Sequence, residues 1–362
     1  MGDDAFVDGM KASSRVAALS NAQIAELLTR AAETADGHRR RALQRAARAA
    51  FLWSEEAEAV ISRGHSLTEL PQVGPWIATT VESLLADPPK LIEPPEIRRG
   101  FLTLADARRT LAANPDALAS LRSDLQMHTR YSDGRATLRD MVRAAAGRGY
   151  SHVAITDHSK GLAIANGMDE TRLAEQARDI AAVNEELAAA GQQFRVLHAI
   201  EMNLSPAGEG DMDPTALASL DLVLGAFHSN LRVTDDQTER YLAALRNPDV
   251  QVVAHPRGRR YNVRLGLRAD WPRVVSAAAD SGKALEIDAH LDRQDLDVEL
   301  LGVAKETGAF VSIGTDAHSV GELGSMELGL AAALRAGIAR SRILNFMAPQ
   351  ELAAWVVDVR SG

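Results

Sequence analysis

The sequence has no cysteine among its 362 residues. Disulfides, thiolate metal sites and a cysteine nucleophile are therefore excluded, and any bound metal must be held by nitrogen and oxygen. No apolar run approaches the roughly 18 residues that span a bilayer. The N-terminus, MGDDAFVDGMKASS, lacks the basic start and apolar core of a signal peptide. We expect a cytoplasmic protein that does not contact a membrane.

The chain also has fewer basic than acidic residues. It has 40 Lys and Arg and 49 Asp and Glu, which gives a net charge of -9. This balance disfavours a protein whose whole surface coats nucleic acid, although it permits local basic patches. At about 150 residues per domain, the length favours two domains.

The chain changes character along its length. Residues 15–62 are rich in Ala, Leu, Arg and Glu with apolar positions three and four apart, a spacing typical of packed amphipathic helices. A turn and a further helix follow over 70–86, with Pro75 in the first turn of that helix, where proline costs little. The Pro-rich, polar stretch DPPKLIEPPEIRRG is typical of a linker. We predict a helical domain over 1–86, a linker over 87–120 that includes one short helix, and a second domain over 121–362.

The second domain alternates apolar runs with amphipathic helical stretches. This rhythm predicts parallel strands joined by helical crossovers. The seven runs are LRSDLQMH, SHVAITDH, FRVLHAIEM, LDLVLGAFH, VQVVAH, ALEIDA and FVSIGTDAH. Seven such units predict an α/β fold, a closed or nearly closed (β/α)7 barrel.

Polar side chains with metal-binding chemistry recur at the ends of these runs. They are Gln126, His128, Asp133, His158, Glu201, His228, His255, Asp316 and His318. The C-terminal ends of all strands of a parallel barrel open onto one face, so these residues should converge. One such histidine alone is more often structural. Five histidines with three carboxylates in phase with the strands would be costly to pack without cations. Imidazole with carboxylate suits zinc, manganese or iron, and the expected reaction is metal-assisted hydrolysis of a phosphoester.

Six motifs carry a family resemblance: DLQMHTRYSDG, ITDHS, AIEMN, AFHSN, VAHPRG and GTDAHS. In this order they resemble those of the polymerase-and-histidinol-phosphatase (PHP) family over about residues 123–356. The stretches DDQTERYLAAL and EIDAHLDRQDL look most like the PHP domain at the C-terminus of bacterial X-family DNA polymerases. The resemblance implies a distorted (β/α)7 PHP barrel that binds up to three divalent ions, zinc or manganese, with iron also compatible, and hydrolysis by metal-activated water.

The same resemblance implies how the ligands divide among three sites. Gln126, His128, Glu201 and Asp316 would serve the first site, Glu201 would bridge to a second site held by His228 and His255, and Asp133, His158 and His318 would hold the third. Glu201, Asp316 and His128 are thereby expected to be catalytic. Gln126 departs from the family, in which most members have histidine. An amide oxygen suits manganese better than zinc, so this position bears on the metal that the first site binds.

Two segments indicate contact with DNA. LPQVGPWIA resembles a helix-hairpin-helix, whose turn presents backbone amides to a phosphate. Gly74 and Ala78 fit that motif, whereas Gln72 stands where glycine is usual. The alternative is an ordinary turn packed in its own domain. With five arginines upstream (Arg39, Arg40, Arg41, Arg45 and Arg48), the region resembles the N-terminal domain of X-family polymerases, although a solvated helix face is equally open. Too few residues separate 86 from 121 for a polymerase core, so we expect no polymerisation.

A second basic segment, PRGRRYNVRLGLR, follows His255 and covers residues 256–268. Guanidinium groups match phosphate oxygens, and Arg257, Arg259 and Arg260 are predicted to bind substrate together with Gly74. A solvated charge run is the alternative.

Three functions are open. The first is a DNA phosphoesterase of the 3'-5' exonuclease, 3'-phosphatase or abasic-site endonuclease type, with DNA bound through residues 70–86 and the 257–268 loop. The second is a small-molecule phosphomonoesterase resembling histidinol-phosphate phosphatase. The third is a binding module in which Gln126 marks a decayed site.

Overall fold

The computed structural model describes residues 19–362 and divides the chain into two compact units, Met1–Ile92 and Glu93–Gly362. Residues 1–18 of the predicted helical domain lie outside the described residues. None of the helices from residue 19 onward is long and apolar enough to cross a membrane. The cytoplasmic location stays a prediction.

The described part of the first unit is helical. Its four α-helices are α1 (Asn21–Thr34), α2 (Gly37–Ala50), α3 (Ala57–Ser62) and α4 (Pro75–Ala86). Ser20 and Gln23 form a capping box that starts α1, because each side chain bonds the other residue's backbone amide. Ile24 and Leu28 of α1 are fully buried, and the buried Trp53 donates to Pro71 O at 3.1 Å, which fixes the approach to α4.

The turn before α4 contains the predicted phosphate-binding residue. Gly74 is exposed at the N-cap of α4 with φ −84°, a conformation that any residue adopts. Gln72 instead has φ 62°, in the left-handed region that favours glycine. The turn therefore keeps the backbone shape that a glycine would favour at this position, although the side chain differs. Phosphate binding by Gly74 stays a prediction.

The second unit contains a single seven-stranded parallel sheet in which the strands follow one another in chain order. The strands are β1 (Ser123–Asp124), β2 (His152–Ile155), β3 (Arg195–Asn203), β4 (Leu222–Ala226), β5 (Val252–Val253), β6 (Ala284–Asp288) and β7 (Phe310–Gly314). The edges meet, since Asp316 N donates to Gln126 O at 3.1 Å and His128 N to Ala317 O at 2.9 Å. The predicted nearly closed α/β barrel is confirmed.

Helices surround this sheet and occur between its strands. Those of the second unit are α5 (Leu104–Ala112), α6 (Pro115–Ser120), α7 (Leu138–Ala146), α8 (Glu170–Ala189), α9 (Pro214–Ala218), α10 (Thr238–Arg246), α11 (Trp271–Asp280), α12 (Val298–Thr307), α13 (Met326–Ala336) and α14 (Pro349–Ser361). The last helix lies at the N-terminal strand ends, because Trp355 Nε1 donates to Gly282 O and Arg360 Nη2 to Leu220 O, at 3.1 and 3.0 Å. The opposite, C-terminal end, hereafter the barrel mouth, carries the site.

The alternation of side chains along the strands explains what reaches the mouth. Inward positions of β3 and β4 are apolar near α14, as at Leu197 and Leu222, which share one buried cluster with Trp355. Two-residue steps along β3 lead from Leu197 and Ala199 to Glu201. The same strand period that builds the core therefore brings a carboxylate to the mouth.

The boundary between the units differs from the predicted linker over 87–120. Residues 93–120 belong to the second unit. Leu102 and Leu111 are buried in the barrel's main apolar cluster, and Gln294 bonds both backbone groups of Leu102 at 2.7 and 2.9 Å. The prolines near residues 88–95 gave this segment the composition of a linker, but the apolar residues after residue 100 pack on the barrel.

Candidate metal centre

Three residues from distant strands meet at the barrel mouth. His128 follows β1, Glu201 lies in β3 and Asp316 follows β7, and all three are buried. His128 Nε2 lies 3.0 Å from Asp316 Oδ1 and 3.3 Å from Glu201 Oε2. These atoms are close enough for a single ion to bind all three residues.

Glu201 is the centre of the arrangement. Its Oε2 lies 3.1 Å from His158 Nδ1, and its Oε1 lies 3.2 Å from His228 Nε2 and 2.7 Å from His255 Nε2. Burial raises the pKa of the Glu201 carboxyl, but the facing His158 and His255 rings outweigh burial and hold that pKa well below its ordinary value. Glu201 is therefore a carboxylate that several metal ligands share.

Asp133 brings two further histidines together at the rim. Asp133 Oδ1 lies 3.2 Å from His318 Nε2 and 3.7 Å from His158 Nε2. The His318 ring stacks on that of His128, with centroids 4.3 Å apart and planes at 21°. Asp133 itself is exposed, so this part of the site opens to solvent.

The ligand atoms form three overlapping groups, and within each group they lie within 4.8 Å of one another. The groups are His128, Asp133, His158 and His318; His158, Glu201 and His228; and His128, Glu201 and Asp316. This division resembles the predicted one, but His158 also joins the group of His228, His128 also joins the group of Asp133, and His255 is in none of the three. We call these seven residues, together with His255 and Gln126, the metal cluster.

The metal cluster fits cations because buried polar atoms in it have no hydrogen-bond partner among residues 19–362. These atoms are Nδ1 and Nε2 of His128, Nδ1 of His158, Nε2 of His228, Nδ1 of His255, Oε2 of Glu201, Oδ1 of Asp316 and both side-chain polar atoms of Gln126. Several of these buried imidazole nitrogens and carboxylate oxygens face one another at 3.0–3.3 Å without forming a hydrogen bond, and such atoms match the donor set of a divalent ion.

Neighbouring groups orient two of the rings. His228 Nδ1 lies 3.2 Å from Asn203 Oδ1, which directs Nε2 toward Glu201. His318 Nδ1 lies 2.8 Å from the Asp316 carbonyl oxygen, which directs Nε2 toward Asp133. Fixing one ring nitrogen and leaving the other for a metal is the usual arrangement around protein metal ions.

Comparison with known proteins supports this assignment. Residues 124–255 match the family model described as the PHP domain. The barrel is a PHP domain. The chain is 34% identical over 267 residues, 73% of its own length, to "DNA polymerase/3'-5' exonuclease PolX" of Bacillus subtilis, and the match spans 45% of that relative. It is 27% identical to the "Probable phosphatase" proteins of Edwardsiella ictaluri and Escherichia coli K12, over 61% and 63% of this chain and 89% and 91% of theirs. The chain thus spans about half the length of the first of these relatives, and the similarity includes its barrel.

Gln126, the predicted ligand that departs from the family, is buried. Its side chain shares a confined space with Glu286, because a β-carbon on Gly314 would lie 3.0 Å from Gln126 Oε1 and would collide with Glu286 Oε1. Both Glu286 Oε1 and Gln126 Oε1 have no hydrogen-bond partner in the described chain. Oxygen atoms thus stand where most family members are expected to have an imidazole.

Sequence reasoning missed the charged residues beneath the PHP metal cluster. Glu286 and Asp288 point into the barrel on β6, and Arg293 follows that strand. Arg293 Nη2 lies 3.2 Å from Asp316 Oδ2, and its Nε lies 3.5 Å from Asp288 Oδ2. Glu286 Oε2 accepts a hydrogen bond from His255 N at 2.7 Å. The signal was present in the alternation of ALEIDA, in which Ala284, Glu286 and Asp288 share the inward face.

The arginines predicted to bind substrate have other partners. Arg257 Nη1 and Arg259 Nη1 lie 2.9 and 2.6 Å from Asp297 Oδ2, and Arg259 also donates to Gly100 O. Both line, together with Arg264, a cavity of about 630 Å³ whose lining includes none of the metal-cluster residues. Arg257 and Arg259 therefore form ion pairs and hydrogen bonds within the fold. Arg260 remains exposed, with Nη2 3.6 Å from Asp292 Oδ2.

The sequence analysis also did not predict a role for Asp157. Its side chain accepts hydrogen bonds from the loop that carries Asp133. Its Oδ1 accepts from Thr129 N at 2.8 Å and Ser132 N at 3.1 Å, and its Oδ2 accepts from Thr129 Oγ1 at 2.6 Å and Gln176 Nε2 at 2.7 Å. Asp157 is fully buried. Ser132 Oγ also donates to Oδ1 at 2.5 Å, so five donors, four of them from Thr129 and Ser132, hold this loop on one buried carboxylate.

We predict that Asp157→Asn lowers the free energy of unfolding by about 2 kcal/mol, because a neutral amide replaces a charged acceptor of several hydrogen bonds. Metal affinity should also fall by about 10- to 100-fold, as is typical when a residue that supports metal ligands is lost. Urea unfolding and calorimetric titration with manganese measure the two effects. Asp221→Asn is the control, since Asp221 accepts from His198 N at the other end of the barrel. Unchanged metal affinity in Asp157→Asn would contradict this role.

Proposed function

We propose that this chain is a metal-dependent phosphoesterase that hydrolyses a phosphodiester or a terminal phosphate of DNA, as a 3'-5' exonuclease, 3'-phosphatase or abasic-site endonuclease does. The observation that carries the proposal is the cluster of buried imidazole and carboxylate atoms, several without a hydrogen bond, at the mouth of a PHP barrel. Up to three divalent ions, zinc or manganese with iron also compatible, would be held by the nine residues of the metal cluster.

The ions would supply charge neutralisation for a phosphoryl group and a water of lowered pKa. The chain's own residues hold the ligands in place. Glu201 contacts three histidines, so it would be shared between ions. Arg293 pairs with Asp316 Oδ2 and leaves Oδ1 facing His128. Asp133, at the exposed rim, would lie where a substrate enters.

Two features favour DNA as the substrate. One is the similarity to the Bacillus subtilis protein named as a polymerase and 3'-5' exonuclease. The other lies in the first unit, where five arginines of α2 (Arg39, Arg40, Arg41, Arg45 and Arg48) are exposed and Gly74 is exposed at the start of α4. Exposed cations and free helix N-terminal amides are the groups that bind phosphates of nucleic acids.

The second candidate is hydrolysis of a small phosphomonoester. It is favoured by the relatives named "Probable phosphatase", of which this chain covers 89% and 91%. The net charge of -9 also disfavours a large polyanion in general.

The test is a screen of the manganese- and zinc-loaded chain against 3'-recessed, 3'-phosphorylated and abasic oligonucleotides, alongside phosphomonoester metabolites. We expect turnover of at least one oligonucleotide, abolished by Asp316→Asn but not by Asp280→Asn, a control carboxylate that is exposed at the end of α11. Strong turnover of a metabolite with none on oligonucleotides would select the second candidate. No hydrolysis of any ester, with fewer than two bound metal equivalents, would contradict both candidates and select the binding module.

A further inference from the structure

The loops after β4 and β5 place three arginines together at the barrel mouth. Arg232 Nη1 donates to Val263 O at 3.2 Å. Arg260 and Arg264 form an antiparallel bridge, with Arg260 N donating to Arg264 O at 3.0 Å. We call Arg232, Arg260 and Arg264 the arginine patch. These contacts fix the backbone of the patch on a tight turn.

The charge of the arginine patch is poorly compensated. Within residues 19–362, neither Arg232 nor Arg264 forms an ion pair with a carboxylate, and Arg260 is 3.6 Å from Asp292. Arg264 is half-buried. Burial, and after it the cations Arg293, Arg260 and Arg232, lower its pKa to about 10. A desolvated guanidinium among other cations is costly in the free chain and would be stabilised by an anion.

This arrangement contrasts with that of the arginines earlier in the same loop. Arg257 and Arg259 share Asp297, so their charge is already neutralised inside the fold. The first half of the loop has three arginines and the second half has two, and Arg264 of the second half forms no ion pair with a carboxylate among residues 19–362. The uncompensated charge is therefore a local property of the arginine patch and not of the loop as a whole.

The arginine patch also adjoins the metal cluster. Arg260 Nη2 lies 3.6 Å from Asp292 Oδ2, and the next residue, Arg293, has its Nη2 3.2 Å from Asp316 Oδ2. Cationic side chains therefore extend from Arg293, at the base of the metal cluster, to the arginine patch. An anionic ligand that reached both would need at least two separated phosphate groups.

We propose that the arginine patch binds phosphates of a nucleic-acid strand adjacent to the bond that is cleaved. This inference rests on the proposed function and narrows its substrate to a polynucleotide. A single phosphomonoester would place its one phosphate at the metal cluster and leave the patch empty. A strand supplies further phosphates, which guanidinium groups bind bidentately.

The test compares two substrates of the manganese-loaded full chain, bis(p-nitrophenyl) phosphate, which has no neighbouring phosphate, and a 12-nucleotide single strand of DNA. We expect Arg264→Gln to lower the ratio of kcat/KM for the strand to that for the small diester by roughly tenfold, as expected for the loss of one charge-assisted phosphate contact. Arg246→Gln should leave this ratio unchanged, since Arg246 is exposed at the end of α10 that leads to the start of β5. Arg264→Lys should recover part of the ratio.

Binding is measured separately from cleavage, by fluorescence anisotropy with a phosphorothioate strand at several salt concentrations. Arg264→Gln should reduce the slope of log affinity against log salt by about 0.7, the value for one phosphate contact on a single strand. An unchanged ratio and slope, or equal losses on both substrates, would overturn the inference. If the wild type hydrolyses neither substrate while Arg264→Gln still weakens strand binding, the proposed function is wrong. The binding of strand phosphates by the arginine patch is then still supported.

Discussion

Replacing Glu201 by glutamine is expected to lower hydrolysis of every substrate by more than about 100-fold. Loss of a residue that only supports metal ligands typically costs 10- to 100-fold in affinity or activity. Glu201 should cost more, because its two oxygens face His158, His228 and His255 directly. Glutamine keeps the shape of the side chain but removes its charge, so the loss reports on charge and coordination.

The measurement is initial rate with saturating manganese, together with the metal content of the purified variant. Glu299→Gln is a matched control, since Glu299 is exposed in the first turn of α12. We expect the control to retain wild-type rate and metal content. Activity within tenfold of wild type in Glu201→Gln would show that this carboxylate is not a shared ligand.

Removing metal ions with a chelator is expected to lower Tm by at least about 5 °C, and adding manganese should restore it. One ion at a hundred times its dissociation constant stabilises the folded chain by about 2.7 kcal/mol. In a domain of this size, 1 kcal/mol shifts Tm by roughly 2–4 °C. Asp288 and Asp316 share the guanidinium of Arg293, and burial beside them raises the pKa of the Glu286 carboxyl well above its ordinary value, so added cations should stabilise this region.

Thermal unfolding followed by circular dichroism measures this shift. The Glu201→Gln variant supplies the comparison, because its Tm should respond less to both chelator and manganese than that of the wild type. The same Tm in chelator and in manganese would mean that the metal cluster is stable without cations, and that its buried charges are balanced by the protein alone.

The barrel could be predicted from the sequence because its strands and helices follow strict periods. The predicted helical crossovers are present, for example α8 between β2 and β3 and α11 between β5 and β6. Metal-cluster residues at strand ends were predictable for the same reason, since the strand period brings Glu201 into line with the inward residues of β3. The lengths of the apolar runs and the alternation of side chains along the strands were enough to predict that these residues lie at the barrel mouth.

Other parts of the site depend on contacts that no local pattern encodes. His255 has φ 26° and Asp316 has φ 50°, so the side chains of both leave the strand alternation. The partner that neutralises Arg257 and Arg259 is Asp297, about 40 residues later. The sequence therefore predicted that the whole basic segment 256–268, next to His255, binds substrate. In the structure, ion pairs with Asp297 distinguish Arg257 and Arg259 from the later arginines of the segment.

The most direct test of the central claim is anomalous scattering from crystals of the full chain soaked in manganese, with metal content measured on the same protein in solution. The account predicts two or three ions at the barrel mouth, each in contact with residues of the metal cluster, with Glu201 between two of them. It also predicts at least two equivalents of manganese per chain in solution. No anomalous peak near His128, Glu201 and Asp316 after soaking would contradict it.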